Sequence, residues 1–188
     1  LALGATTVLL AVATLWAVRG MVRPEPRAVV RSLVTPDEGQ RWTRPPTSVD
    51  LALAPDGSWM VFVGPGPEGA SQLWRRELKS LTATAIPGSV GAFSPVVSPD
   101  GASVAYAAEG TIRTLALAGG PPVTVAASGG APAWADDGTI FFARDNVVYR
   151  VAAAGGDPVA FTAPMDNVVQ THIDALPGGR GLLFTAFV

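Results

Sequence analysis

Ser98-Pro99-Asp100-Gly101, followed by the apolar run Val104-Ala105-Tyr106-Ala107, is one copy of a unit that recurs along this chain. Ala54-Pro55-Asp56-Gly57 precedes Trp59-Met60-Val61-Phe62-Val63. Ala135-Asp136-Asp137-Gly138 precedes Ile140-Phe141-Phe142-Ala143, and Leu176-Pro177-Gly178-Gly179 precedes Leu182-Leu183-Phe184-Thr185. Asp56, Asp100, Asp137 and Gly178 mark the third turn position, at intervals of 44, 37 and 41 residues. A period near 40 with one tight turn per period reads as a repeat architecture, and in β-rich sequence as a propeller.

Each turn has a physical logic. Pro55 and Pro99 preset φ at the second position, Asp56, Asp100 and Asp137 can bond nearby backbone amides, and Gly57, Gly101, Gly138 and Gly179 accept a positive φ. A short strand precedes the turn, as in Val49-Asp50-Leu51-Ala52-Leu53. The strand after it is apolar at both alternating sets of positions. An exposed antiparallel sheet would alternate apolar with polar, so this strand must be covered on both faces, as between two neighbouring blades. A third, more charged strand follows at Gln72–Leu78, Thr111–Leu117 and Val147–Ala152. Gly119-Gly120 and Gly155-Gly156 then turn the chain into Val123-Thr124-Val125 and Val159-Ala160-Phe161-Thr162, while Lys79-Ser80 leads to Thr82–Ile86. The expected fold is all-β: a partial β-propeller of four-stranded antiparallel blades over residues 47–188, with about three blades and the start of a fourth.

The 188 residues are 48% hydrophobic and 15% charged, with 21 Gly and 17 Pro. Short strands and tight turns give that profile; a helical bundle does not. The net charge of −2 argues against a nucleic-acid surface. No cysteine is present, which excludes disulfides and thiolate metal sites.

Residues 1–18 carry no charge. As a helix they would span roughly 27 Å, the thickness of a bilayer's hydrocarbon core. Residues 1–22 therefore read as one N-terminal transmembrane helix, with Trp16 and Arg19 at an interface. No small-x-small cleavage site follows. Arg19, Arg23, Arg27 and Arg31 bias the C-terminal flank toward the cytoplasm. Residues 23–46 read as a Pro-rich linker holding a possible ring-closing strand at 29–34. The chain opens within the apolar run and stops within a strand, so the expectation is a fragment of a longer protein with further blades.

An ordered series of motifs carries a resemblance. Gln72-Leu73-Trp74-Arg75, Ala85-Ile86-Pro87-Gly88, Phe93-Ser94-Pro95, Ser98-Pro99-Asp100-Gly101, Leu117-Ala118-Gly119-Gly120, Ala153-Ala154-Gly155-Gly156 and Leu176-Pro177-Gly178-Gly179 occur in that order. The repeat resembles that of TolB-like propellers, relatives of WD repeats. From the membrane helix onward the chain is similar to the C-terminal half of bacterial membrane-anchored serine/threonine protein kinases. That resemblance implies a cytoplasmic kinase domain before the helix, an extracytoplasmic propeller after it, and the bacterial inner membrane as location. ATP and Mg would belong to the kinase domain of the parent, and no cofactor to these residues. Asp136 in place of Pro, Gly178 in place of Asp, and the arginine bias depart from the pattern.

The candidates for chemistry are few. Gly64-Pro65-Gly66-Pro67-Glu68-Gly69 spells G-x-G-x-x-G, but a phosphate loop needs a helix N-terminus behind it, and a strand follows here. Lys79, the lone lysine, sits in a turn. No His-Arg-Asp, Asp-Phe-Gly or G-x-S-x-G occurs. Asp56, Asp100 and Asp137 recur once per blade, so each is expected to serve its own turn. His172 lacks a second histidine or a nucleophile motif nearby, and reads as packing or a local hydrogen bond near the blade top. Trp42, Trp59, Trp74 and Trp134 read as core. No catalytic, cofactor or metal residue is assigned. The expected role is sensing or binding, with an unidentified protein or small molecule on the propeller face and a membrane as the other partner. Alternatives are the propeller of a prolyl-oligopeptidase-type peptidase, a free periplasmic TolB-like scaffold, and a membrane-bound transcription regulator.

Overall fold

A computed structural model describes residues 51–165 and 168–187. The expected transmembrane helix at 1–22, the expected linker at 23–46 with its possible ring-closing strand, and Trp42 fall outside these residues. Among the described residues, no helix is long and apolar enough to cross a membrane.

Fourteen strands are described. Blade 1 holds β1 (Leu51–Leu53), β2 (Trp59–Pro65), β3 (Ser71–Glu77) and β4 (Ala83–Ala85). Blade 2 holds β5 (Ala92–Val97), β6 (Ser103–Ala108), β7 (Thr111–Ala116) and β8 (Val123–Ala126). Blade 3 holds β9 (Gly130–Trp134), β10 (Thr139–Arg144), β11 (Val147–Ala152) and β12 (Val159–Ala160). The hairpin β13 (Val169–Ala175) and β14 (Leu182–Phe187) begins a fourth. Within each blade the strands pair antiparallel in chain order. The first strands β1, β5, β9 and β13 touch one another in succession, so they line the axis.

The doubly apolar second strand is explained by what covers it. Val104, Tyr106 and Ala108 of β6 pack with Val61, Val63, Leu73 and Ile86 of blade 1. The alternate residues Ala105 and Ala107 pack with Ile140, Phe142 and Val151 of blade 3. Leu182 and Phe184 of β14 pack in the same way against Phe141 and Val148. Burying one such large apolar side chain contributes about 1.5–3 kcal/mol, so packing between blades is a major source of stability.

Loops at one end of the blades are tied across each junction. Gly91 donates its N–H to the Ser71 carbonyl and Gly129 to that of Gly110. At the next junction Gln170, almost wholly buried, does this work with its side chain. Its Nε2 donates to the Asn146 carbonyl at 3.0 Å, and its Oε1 accepts from the Thr162 hydroxyl at 2.9 Å.

Candidate axial binding site

The first strand of each later blade is broken by a β-bulge at one fixed place. In blade 2, Phe93 pairs with Ala107 and Val96 with Ala105, so Ser94 and Pro95 together oppose Tyr106. In blade 3, Ala131 and Pro132 oppose Phe142. In the hairpin, His172 and Ile173 oppose Phe184. The leading residue of each pair is left-handed: φ is 49° at Ser94, 48° at Ala131 and 50° at His172. A non-glycine residue there is strained, and bulges of this kind redirect side chains next to functional sites.

The three bulges converge on one cavity of about 300 Å³ at the axis. All six bulge residues line it. Leu51, Ala52, Val96 and Ala133 add apolar wall, and Asp174 adds a carboxylate. Ser94 is only 4% exposed, yet its hydroxyl makes no hydrogen bond among the described residues. The His172 ring meets Phe187 edge-on, with centroids 6.4 Å apart.

The residues singled out in the sequence fall elsewhere. Asp56 Oδ1 accepts the Ser58 N–H at 3.0 Å, Asp100 Oδ1 the Ala102 N–H at 2.9 Å, and Asp137 Oδ1 the Thr139 N–H at 2.9 Å. The backbone bond from Ser58 holds the Asp56 carboxyl below its ordinary pKa, with the Ser58 hydroxyl adding to it. The Ser98 hydroxyl does the same to Asp100, and the Thr139 amide to Asp137. Gly57, Gly101 and Gly138 carry φ of 70°, 71° and 84° beside Pro55, Pro99 and Asp136. In the fourth turn the positive φ comes one residue earlier, at Gly178 (73°), ahead of Gly179. No group of three or more potential metal ligands gathers among the described residues.

The G-x-G-x-x-G stretch closes the β2–β3 hairpin through a 3-10 turn at Pro67–Gly69. Gly64 and Gly66 make room for neighbouring protein atoms. A Cβ on Gly64 would lie 2.7 Å from the Trp74 ring, whose Nε1 donates to the Pro65 carbonyl at 3.0 Å. Trp59 is buried, under the Arg75 guanidinium at 4.4 Å, while Trp74 and Trp134 are half-buried.

His172 is thus brought to the cavity, together with Ser94, which stands out in the sequence only within the Phe93-Ser94-Pro95 motif, and Ala131, which does not stand out at all. A signal was present: Phe62, Tyr106, Phe142 and Phe184 hold the same place in each second strand, and three of them stand opposite a bulge.

No family model matches the chain, and no curated protein matches it. Solved structures do. A putative TolB from Agrobacterium tumefaciens aligns at TM-score 0.64 and 17% identity, over 73% of this chain and 53% of its own. TolB from Acinetobacter baumannii aligns at 0.58 and 17%, over 73% and 40%. Oligogalacturonate lyase from Vibrio parahaemolyticus aligns at 0.54 and 13%, over 67% and 41%. The chain spans about half the length of the first of these and less of the others. These likenesses show the fold: the described residues form part of a TolB-like β-propeller.

Proposed function

We propose that this chain is the sensing region of a membrane-anchored, serine/threonine-kinase-like receptor, and that its propeller binds a ligand or partner in the axial cavity. One observation carries the binding role. Three successive blades bring an identical backbone kink to one cavity, but with unlike side chains: Ser94, Ala131 and His172. A common backbone shape with differing side chains suits recognition, since cavities of this kind place a few polar groups among apolar walls.

The receptor context rests on the ordered motif series and the uncharged residues 1–18. The propeller would then stand outside the inner membrane, and occupancy of the cavity would bias the domain on the other side. Chemistry, with ATP and Mg, would lie in that upstream domain. The test uses the full-length natural protein in proteoliposomes with ATP and Mg. Phosphate transfer to protein is expected, with a rate changed by Asp174→Trp, which narrows the cavity. Absence of transfer sinks the kinase context and leaves the peptidase, scaffold and regulator readings. Because the chain has no cysteine, Ala154→Cys in an exposed turn reports topology: a membrane-impermeant maleimide should label it on intact spheroplasts.

A further inference from the structure

We infer that the axial cavity takes a primary alkylammonium group on an apolar stem, such as a free alkylamine or a lysine side chain. This rests on reading that cavity as the binding site. Among the described lining residues, Asp174 is the one carboxylate, and neither lysine nor arginine joins it. An anion would therefore meet like charge. Leu51, Ala52, Val96 and Ala133 offer methyl and methylene surface to a hydrocarbon stem.

Ser94 supplies the second half of the argument. It is 4% exposed, lines the cavity and has an unpaired hydroxyl among the described residues. That oxygen is not among the fully enclosed unpaired polar atoms of the described residues, so it opens on the cavity, where a polar ligand atom can bond it in place of water. A neutral hydrocarbon would leave Ser94 unpaired and strip water from Asp174. An ammonium group offers three N–H donors, which suit the Ser94 hydroxyl oxygen, and a positive charge, which suits the Asp174 carboxylate. A cavity of about 300 Å³ lies at the small end of ligand sites and suits a short chain rather than a large ring system.

The test titrates the whole 188-residue chain in detergent micelles, following backbone amide resonances of Ser94 and His172. The probes are n-pentylammonium chloride, 1-pentanol, sodium hexanoate and acetyl-lysine methylamide. Pentylammonium should saturate at about three- to fivefold lower concentration than pentanol, the range of one partly exposed ion pair. Hexanoate should not bind. Asp174→Asn should erase the preference for pentylammonium over pentanol while leaving β6 resonances in place. Ser94→Ala should weaken pentylammonium about threefold. Binding of acetyl-lysine methylamide as tight as that of pentylammonium identifies a lysine side chain as an acceptable source, and its exclusion points to a free amine. Equal or tighter binding of pentanol or hexanoate overturns the inference but leaves the cavity a binding site. No shift with any probe overturns both.

Discussion

The Oδ2 atom of Asp136 accepts a hydrogen bond from the backbone N–H of Gly178 at 2.7 Å. These two residues are the two departures from the Pro-Asp-Gly turn, and they lie in consecutive blades. Where the first two turns use Pro55 and Pro99, the third uses a carboxylate that reaches the next turn. Removing it with Asp136→Ala should destabilise the chain by about 0.5–1 kcal/mol, the value of an exposed charge-assisted bond. Hydrogen exchange at the Gly178 amide should quicken while that of β6 stays unchanged, and Asp136→Asn should restore most of the protection. Unaltered Gly178 exchange in the alanine variant would refute the link.

The left-handed bulges make an opposite kind of prediction. An L-residue in that conformation costs roughly 1–2 kcal/mol, which glycine avoids at the expense of extra freedom in the unfolded chain. Ala131→Gly should therefore leave stability unchanged or raise it by up to about 1 kcal/mol, and Ala131→Val should lower it by more than about 1 kcal/mol. Urea unfolding midpoints decide between them. A destabilised glycine variant would mean the kink is not strained.

The turn aspartates set the acid response. Backbone and hydroxyl donors lower the folded-state pKa of Asp56, Asp100 and Asp137 below the ordinary value of 3.8. A lowered carboxyl contributes stability that is complete above the unfolded pKa and is lost as pH falls through the folded one. Urea midpoints should thus be flat above about pH 5 and fall below about pH 4. The triple variant Asp56→Asn, Asp100→Asn, Asp137→Asn should show a shallower fall over that window. An equal fall in both proteins would assign acid sensitivity to other groups.

Gly129 has a φ of 147°, and a Cβ there would lie 2.3 Å from Cδ2 of the fully buried Phe142. The ring is hemmed in by the core around it, and the backbone is held because Gly129 donates its N–H to the Gly110 carbonyl across the blade junction. Gly129→Ala should cost about 2–4 kcal/mol, from overpacking and backbone strain together. Adding Phe142→Leu should recover part of that loss. Additive effects in the double variant would show that the two positions do not clash.

The blades were legible because turn chemistry is local. Pro55-Asp56-Gly57 and Pro99-Asp100-Gly101 announce their geometry within four residues, and the doubly apolar second strands announce their two covered faces. The cavity was not legible, because its defining feature is a backbone conformation that serine, alanine and histidine do not advertise. Ser94, Ala131 and His172 share no side-chain chemistry; only their common place opposite Tyr106, Phe142 and Phe184 relates them. The Asp136–Gly178 bond was hidden for another reason. Each residue reads alone as a degraded turn, and they become partners only when consecutive blades are set side by side.

The bulges also separate two demands that usually compete in evolution. The inward kink is made by the backbone and the opposing aromatic, so its shape does not depend on which side chain leads it. Serine, alanine and histidine are accommodated at one architectural position within a single chain. Substitution at these three places can retune what the axis recognises while leaving the interblade packing alone, much as a fixed lock body accepts different pins. Such a fold is a ready starting point for selecting new specificities by randomising three residues.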